Sequence, residues 1–240
     1  MTVLLAFDTG GERMTIALES GDRRWSHSAA GGTKASAALV PQILGLLAEA
    51  GLGVHDLDAI GFGRGPGAFT GLRTACSVAQ GLAFGAGKPV LPIDSLLVVA
   101  EDARAGAAEF RVWAAIDARM DQIYAAEYAF AGDRWSTVVA PVLTDCVALA
   151  TRWRDAPAQA VAGDALLAFG ARLETGTARR FPEARAGADA LLALAGRAWR
   201  DGAGVDPAQA LPLYVRDKVA QTTREREAAR AAQAAGAGRT

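Results

Sequence analysis

Apolar residues fall into two alternating kinds of run along the first hundred positions. Short runs at 3–7, 14–18 and 24–28 are separated by Gly10-Gly11 and Gly21-Asp22, so three antiparallel strands come first. Over 35–50 the spacing lengthens, and Leu39, Ile43, Leu46, Leu47 and Ala50 recur at helical intervals. That predicts a helix stopping at Gly51, with Pro41 in its first turn. A buried-type strand at 57–62, a glycine-dense loop, a helix over 70–85, a strand at 90–93 and a helix over 95–104 follow. The order is βββ-αβαβα.

The second half echoes the first. Phe7-Asp8-Thr9 leading to Gly21-Asp22-Arg23-Arg24-Trp25-Ser26 recurs as Ile116-Asp117-Ala118 leading to Gly132-Asp133-Arg134-Trp135-Ser136. Each copy reads strand, Asp, turn, strand, Gly-Asp turn, strand. Two halves that each begin with a strand ending in Asp are how the actin, Hsp70 and sugar-kinase class of α/β folds is built, with nucleotide held between the lobes. The second copy is reduced: strands at 112–116, 123–130 and 135–139, a helix over 144–153, a strand at 158–161 and a helix over 165–173. After a variable stretch comes a last helix over 188–199. The expected lobes are 1–107, completed by 213–220, and 108–212. Residues 221–240 are Ala, Arg, Glu and Gly with no large apolar anchor, which predicts a frayed tail.

Charge then narrows the function classes. The net charge is -1, with 25 basic against 26 acidic side chains, so the chain as a whole sets up no field that would draw nucleic acid or a membrane. Any RNA contact must be local or made by a partner. Cys76 and Cys146 stand far apart without a C-x-x-C spacing, and the start lacks a basic n-region and an uninterrupted apolar stretch. A reduced, cytoplasmic chain is expected. No apolar run approaches the roughly 18 to 20 residues of a membrane span.

Asp8-Thr9-Gly10-Gly11 joins two strands. In a nucleotide-binding member of this fold class such a turn offers backbone N–H groups to phosphate, and the Asp holds a metal-bound water. The plainer alternative is a hairpin turn with Gly at positive φ. Its counterpart, Asp117-Ala118-Arg119-Met120, carries side chains where a phosphate's close approach requires glycine, so half the clamp is missing. Phosphoryl transfer needs both clamps, a metal carboxylate and a base in one place. His27 and His55, the only histidines, lie on different elements without metal-ligand spacing, and no Ser sits in a G-x-S-x-G elbow. No catalytic residue and no metal ligand is assigned. The sharpest string is Gly63-Arg64-Gly65-Pro66-Gly67-Ala68-Phe69-Thr70-Gly71-Leu72-Arg73, running from strand into helix. Its glycines either bare a helix N-terminus for an anion or let the helix pack closely, and packing is favoured. Ala75, Ala79 and Ala83 behind it form a small-residue ridge that admits another helix at close range. Val40, Leu44 and Leu47 add to the Leu39/Ile43 stripe, so the first helix is apolar on more than one face, with its own sheet expected on one side and room for a partner on the other.

These strings resemble the TsaB (YeaZ) family: Leu5-Ala6-Phe7-Asp8-Thr9, the loop from Gly63 to Arg73, Ile116-Asp117-Ala118-Arg119 with Tyr124, and Pro212-Leu213-Tyr214-Val215-Arg216. The resemblance runs nearly the whole chain, in order. It implies an actin/Hsp70-like (ribonuclease H-like) duplicated fold. It also implies a non-catalytic, cytoplasmic subunit that requires no cofactor of its own. Such a subunit pairs with the catalytic TsaD protein, or with itself in TsaD's absence, and works with the ATPase TsaE. The complex transfers a threonylcarbamoyl group to N6 of the adenosine beside the anticodon, giving t6A in tRNAs that read A-starting codons. The family pairs through its first two helices, so Leu39, Ile43, Leu46, Leu47, Ala75, Ala79 and Ala83 are the expected partner surface. The family's His-Ser before the first helix is Ala35-Ser36 here, and the loop's usual Ser is Ala68. Both changes remove a polar group from a candidate ligand position. The alternative from another class is a small ATP-dependent phosphotransferase of the same fold. A glycoprotease would need paired histidine ligands.

Overall fold

The computed structural model describes residues 1–216, the side chains of Thr33 and Lys34 excepted. The tail over 221–240 and the end of the expected return over 213–220 lie outside the described residues. The first half folds as β1 (Val3–Asp8), β2 (Arg13–Ser20), β3 (Arg23–Ala30), α1 (Thr33–Ala50), β4 (Ala59–Gly65), α2 (Phe69–Ala86), β5 (Val90–Asp94) and α3 (Ser95–Arg104). The second half folds as β6 (Phe110–Arg119), β7 (Gln122–Ala131), β8 (Arg134–Thr144), α4 (Cys146–Asp155), β9 (Ala160–Ala162), α5 (Ala165–Ala168), β10 (Arg179–Phe181) and α6 (Ala188–Arg200).

Two five-stranded sheets result, in the orders β3-β2-β1-β4-β5 and β10-β9-β6-β7-β8. With β6 standing for β1, the second order is the first one reversed in listing. In each sheet an antiparallel three-strand meander is followed by two parallel strands. The duplication read from the sequence is therefore a duplication of topology. The reduction is in the crossovers: α2 has 18 residues and its counterpart α5 has 4.

β1 is buried along its whole length, which is why it reads as continuous Val-Leu-Leu-Ala-Phe rather than as an alternation. Leu5 and Phe7 face α1 and α2, while Leu4 and Ala6 face Leu191, Leu194 and Ala195 of α6. By packing, α6 belongs to the first sheet, although the boundary expected from sequence groups it with the second lobe. α3 turns Leu96, Val99 and Ala103 onto Val112, Ala114 and Tyr124 of the second sheet. α4 and α5 cover that sheet's other face with Leu149, Trp153 and Leu166.

One buried charged cluster ties these layers together. Glu101 of α3 accepts hydrogen bonds from Arg104 Nη2 at 2.7 Å, Trp135 Nε1 of β8 at 2.6 Å and Arg197 Nη1 of α6 at 3.0 Å.

Three elements depart from expectation. Pro41 sits inside α1, on its exposed side, rather than in the first turn, because the helix begins at Thr33. The helix expected over 165–173 breaks after Ala168 into a short 3-10 turn in which Gly170 has φ 53. β10 lies in the variable stretch before the last helix, where the sequence predicts no element.

Candidate functional site: the cleft between the sheets

The turn after β1 and the glycine string after β4 are locked into each other. Asp8 is buried at the strand end, where its Oδ1 accepts from Gly10 N at 2.6 Å and its Oδ2 accepts from the Ser95 hydroxyl at 2.6 Å. A Cβ at Gly63 on the neighbouring strand would overlap that carboxylate. Thr9 Oγ1 donates to the Gly71 carbonyl at 2.7 Å, and a Cβ at Gly71 would overlap the Thr9 carbonyl oxygen. Ala68 N donates to Gly10 O at 2.8 Å, and a Cβ at Gly67 would stand 2.5 Å from that oxygen.

Gly67 and Gly71 are thus required by contact with the backbone of the turn, and Gly63 by contact with the Asp8 side chain. Neither Gly10 nor Gly11 has positive φ. Gly10 is needed for space, since a Cβ there would come 2.7 Å from Leu72 Cδ2. The Asp8 carboxylate accepts one hydrogen bond on each oxygen, from Gly10 and Ser95, and does not line the cleft.

Arg64, Phe69 and Arg73 of the string fasten Leu213 and Tyr214. Arg64 pairs with Asp94 at 2.5 Å, and its carbonyl accepts from Leu213 N at 2.7 Å. Arg73 lies 3.8 Å from the Phe69 ring centroid and donates from Nε to Tyr214 OH at 2.9 Å. Gly65 adopts φ 111, Pro66 faces the cleft, and the Thr70 carbonyl accepts from Thr74 Oγ1.

Between the sheets lies a cavity of about 700 Å³. Gly10, Gly11, Gly67 and Leu72 wall it on one side, Ile116, Asp117, Arg119, Tyr124 and Asp164 on the other, and Leu213 to Arg216 along an edge. Left-handed backbone occurs in the second turn instead of the first, at Arg119, Met120 and Asp121 with φ of 62°, 57° and 60°. Non-glycine residues occupy that region at a cost of order 1 kcal/mol each.

Ion pairs hold the turn in place. Arg119 binds Asp117 at 3.0 Å and Glu12 of the other half at 2.8 Å, and Asp121 binds Arg172 at 2.6 Å. Arg216 Nη2 donates to Ala118 O at 2.9 Å. Asp164 accepts from Asp117 N at 2.9 Å, and burial raises its pKa against that bond.

Glu12, Gly31 and Gly32 line the cleft without having been singled out from the sequence, while Arg216 ends the Pro212–Arg216 string that carries the resemblance. Among the described residues no group of three His, Cys, Asp or Glu is placed to share a cation.

Comparison with known proteins fits this architecture. The family profile of "TsaD: tRNA N6-adenosine threonylcarbamoyltransferase" matches residues 26–193. A crystal structure of an uncharacterised Pseudomonas aeruginosa protein similar to YeaZ is 38% identical with TM-score 0.81, covering 90% of this chain and 100% of that one. The chain belongs to the TsaB/YeaZ family. The YeaZ structure from Pseudomonas aeruginosa agrees, at 37% identity and TM-score 0.80 over 89% of this chain and 100% of that one. The TsaB protein of Haemophilus influenzae is 44% identical over 122 residues, and that of Escherichia coli 37% over 125 residues. Those matches cover 50% and 52% of this chain and 51% and 54% of the relatives, about half their length.

The residues expected at the TsaB/YeaZ partner surface require correction. Leu39, Ile43, Leu46, Leu47, Ala75, Ala79 and Ala83 are all buried in the chain's own core, against Leu5, Phe7, Ile60 and Phe62. The alanine ridge lets α2 approach its own sheet, and no partner reaches it without opening the fold. The outward face of the same helices carries Val40, Leu44 and Phe84, the last 83% exposed. Beside them Gly45, Gly81 and Gly85 have open space where a Cβ would stand.

Asp8 makes a testable contribution to pH dependence. Burial raises its pKa, opposed by the bonds from Ser95 and Gly10. A raised folded pKa means that its stabilising contribution is complete below the unfolded value of about 3.9 and is lost as pH rises through the folded value. Asp8→Asn keeps an acceptor for Gly10 and removes the charge. Urea midpoints from pH 3.5 to 8 should therefore show the wild type losing ground to the variant as pH rises. A difference that stays constant over that range would show that Asp8 does not titrate there.

Proposed function

We propose that this chain is a non-catalytic structural subunit of a cytoplasmic assembly that forms t6A on tRNA. Its catalytic partner would be a TsaD-like protein and its ATPase a TsaE-like one. The relatives' names, tRNA threonylcarbamoyladenosine biosynthesis protein TsaB, supply the process. The geometry of the second turn supports the non-catalytic role. Where a two-turn phosphate clamp needs bare backbone on both sides, Arg119 and Met120 project, and the Arg119 guanidinium is already engaged by Asp117 and Glu12. The Asp8 carboxylate, the nearest candidate for a metal, is spent on Ser95 and Gly10. This subunit therefore requires no nucleotide or metal of its own.

The partner surface in this reading is the outer face of α1 and α2. Val40, Leu44 and Phe84 are apolar and exposed, and the adjacent glycines admit a facing helix closely. The same face would serve a homodimer when the partner is absent.

Reconstitution tests the proposal. The purified chain with ATP, threonine, bicarbonate and an unmodified tRNA transcript should yield no t6A. Addition of the TsaD-like and TsaE-like proteins and the enzyme that makes threonylcarbamoyl-adenylate should yield it. Leu44→Asp with Phe84→Asp should leave the melting point nearly unchanged, since exposed substitutions usually stay within about 0.5 kcal/mol. Affinity for the TsaD-like protein should fall by at least about a hundredfold, as for loss of central apolar anchors, and t6A formation with it. Turnover of ATP by the lone chain that disappears in Asp8→Ala would instead return it to the phosphotransferases.

A further inference from the structure

With a net charge of -1, recognition of RNA by this chain depends on a local feature, and the second sheet carries one. α4 ends with Arg152 and Arg154, and β10 opens with Arg179 and Arg180, all four exposed. Strand register brings Arg180 to the face that carries Trp113. Trp113 of β6 pairs with Val161 of β9, and Val161 with Arg180, so the three side chains share a face within two strand spacings, about 10 Å. Arg152 reaches the same place from α4, its guanidinium 5.4 Å from the Trp113 ring centroid. Arg179 emerges on the other face, 5.2 Å from the Phe181 ring.

β10 is the last strand of its sheet, so Arg179 and Arg180 stand on a sheet edge, one on each face. Over 146–159 and 173–181 only Asp155 and Glu174 oppose these four cations. Elsewhere in this lobe Arg172 is paired with Asp121 and Arg185 with Glu183. Among the described residues none of the four takes part in an ion pair.

We propose that this arginine edge is a contact surface for the phosphate backbone of RNA, an inference that rests on the function proposed above and names how its substrate is held. Guanidinium groups laid beside the rings of Trp113 and Phe181 have lost part of their freedom before binding, and their forked N–H groups match phosphate oxygens. Contacts of this kind position a nucleic acid without reading its sequence.

The test is binding of an unmodified tRNA transcript to the chain alone and to its complex with the TsaD-like protein, over a range of salt. Changing all four arginines to Gln should weaken binding at least tenfold at low salt. It should also flatten the slope of log affinity against log salt by about 3, near 0.7 per lost phosphate contact. The four-Lys variant should keep most of that slope, and Arg23→Gln with Arg24→Gln on the far sheet edge should change neither quantity. In the reconstituted reaction KM for tRNA should rise while kcat holds.

Unchanged affinity and KM in the Gln variant, or no measurable RNA binding by either wild-type form, overturns the proposal even if t6A is made. Loss of the TsaD-like partner with RNA binding intact also overturns it, by assigning the edge to an acidic protein surface. A wild-type complex that binds tRNA but forms no t6A overturns the function and leaves the edge standing.

Discussion

Glu101→Ala should destabilise the isolated chain by about 3 to 5 kcal/mol, the usual cost of leaving one side of a buried ion pair alone. Glu101 is nearly inaccessible, and its carboxylate is the shared acceptor for Arg104, Arg197 and the Trp135 indole. Without it, the half-buried Arg104 loses its counterion, the half-buried Arg197 keeps only Asp133 at 3.4 Å, and the indole N–H loses its acceptor. Those groups come from α3, α6 and β8, so the damage spreads across both sheets. At about 2 to 4 °C per kcal/mol for a chain of this size, the melting point should drop by about 6 to 20 °C.

The sign of the pH dependence follows from the same contacts. Burial alone would raise the Glu101 pKa, but the bonds from Arg104, Trp135 and Arg197 outweigh it and hold the carboxyl below its ordinary value. Its stabilising contribution is therefore present above the unfolded value of about 4.3 and lost as pH falls through the folded value. The gap between wild type and Glu101→Gln should be widest near neutrality and shrink below about pH 4. A loss under 1 kcal/mol for Glu101→Ala would mean that water, rather than the protein, already solvates the cluster.

This cluster was invisible in the sequence for a definite reason. Glu101, Trp135 and Arg197 are far apart along the chain, and nothing in a helix pattern marks one glutamate as buried. The duplicated topology was legible, because each half repeats a strand ending in Asp, a hairpin and a Gly-Asp turn within about 25 residues of chain. The locking of Asp8 to Gly11 against the string from Gly63 was half legible. The string announced close packing, but which backbone it packed on depended on β1 and β4 lying side by side.

The partner surface was misread for a related reason. Helical spacing identified the apolar stripe containing Leu39 and Ile43, and such a stripe belongs to the chain's own sheet unless that sheet is already covered. The second apolar face of the first helix, with Val40 and Leu44, was legible in the sequence; Phe84 on the second helix was not. The reduction of the second lobe hid β10, since a strand of three residues leaves no periodicity to count, and cut the helix expected over 165–173 to a single turn.

Two glycines of α2, Gly71 and Gly81, should respond to the same substitution with opposite signs. Intrinsic propensity favours Ala over Gly within a helix by about 0.8 to 1 kcal/mol. At Gly81 nothing lies within 4 Å of the added methyl group, so Gly81→Ala should deliver a stabilisation of up to that size in urea unfolding. At Gly71 the added Cβ would overlap the Thr9 carbonyl, a backbone atom that cannot swing aside. The turn must shift away from α2, straining the Thr9 Oγ1 bond to the Gly71 carbonyl and the Ala68 N bond to Gly10 O. Overpacking of this kind costs about 1 to 3 kcal/mol, and each strained hydrogen bond adds about 0.5 to 1.5. These exceed the propensity gain, so Gly71→Ala should lose about 2 to 4 kcal/mol net. Hydrogen exchange should localise the loosening to Thr9 to Glu12 and Gly67 to Leu72. Equal gains at both positions would show that the loop and turn yield freely, and that the glycines of this string are not there to hold the two backbones in contact.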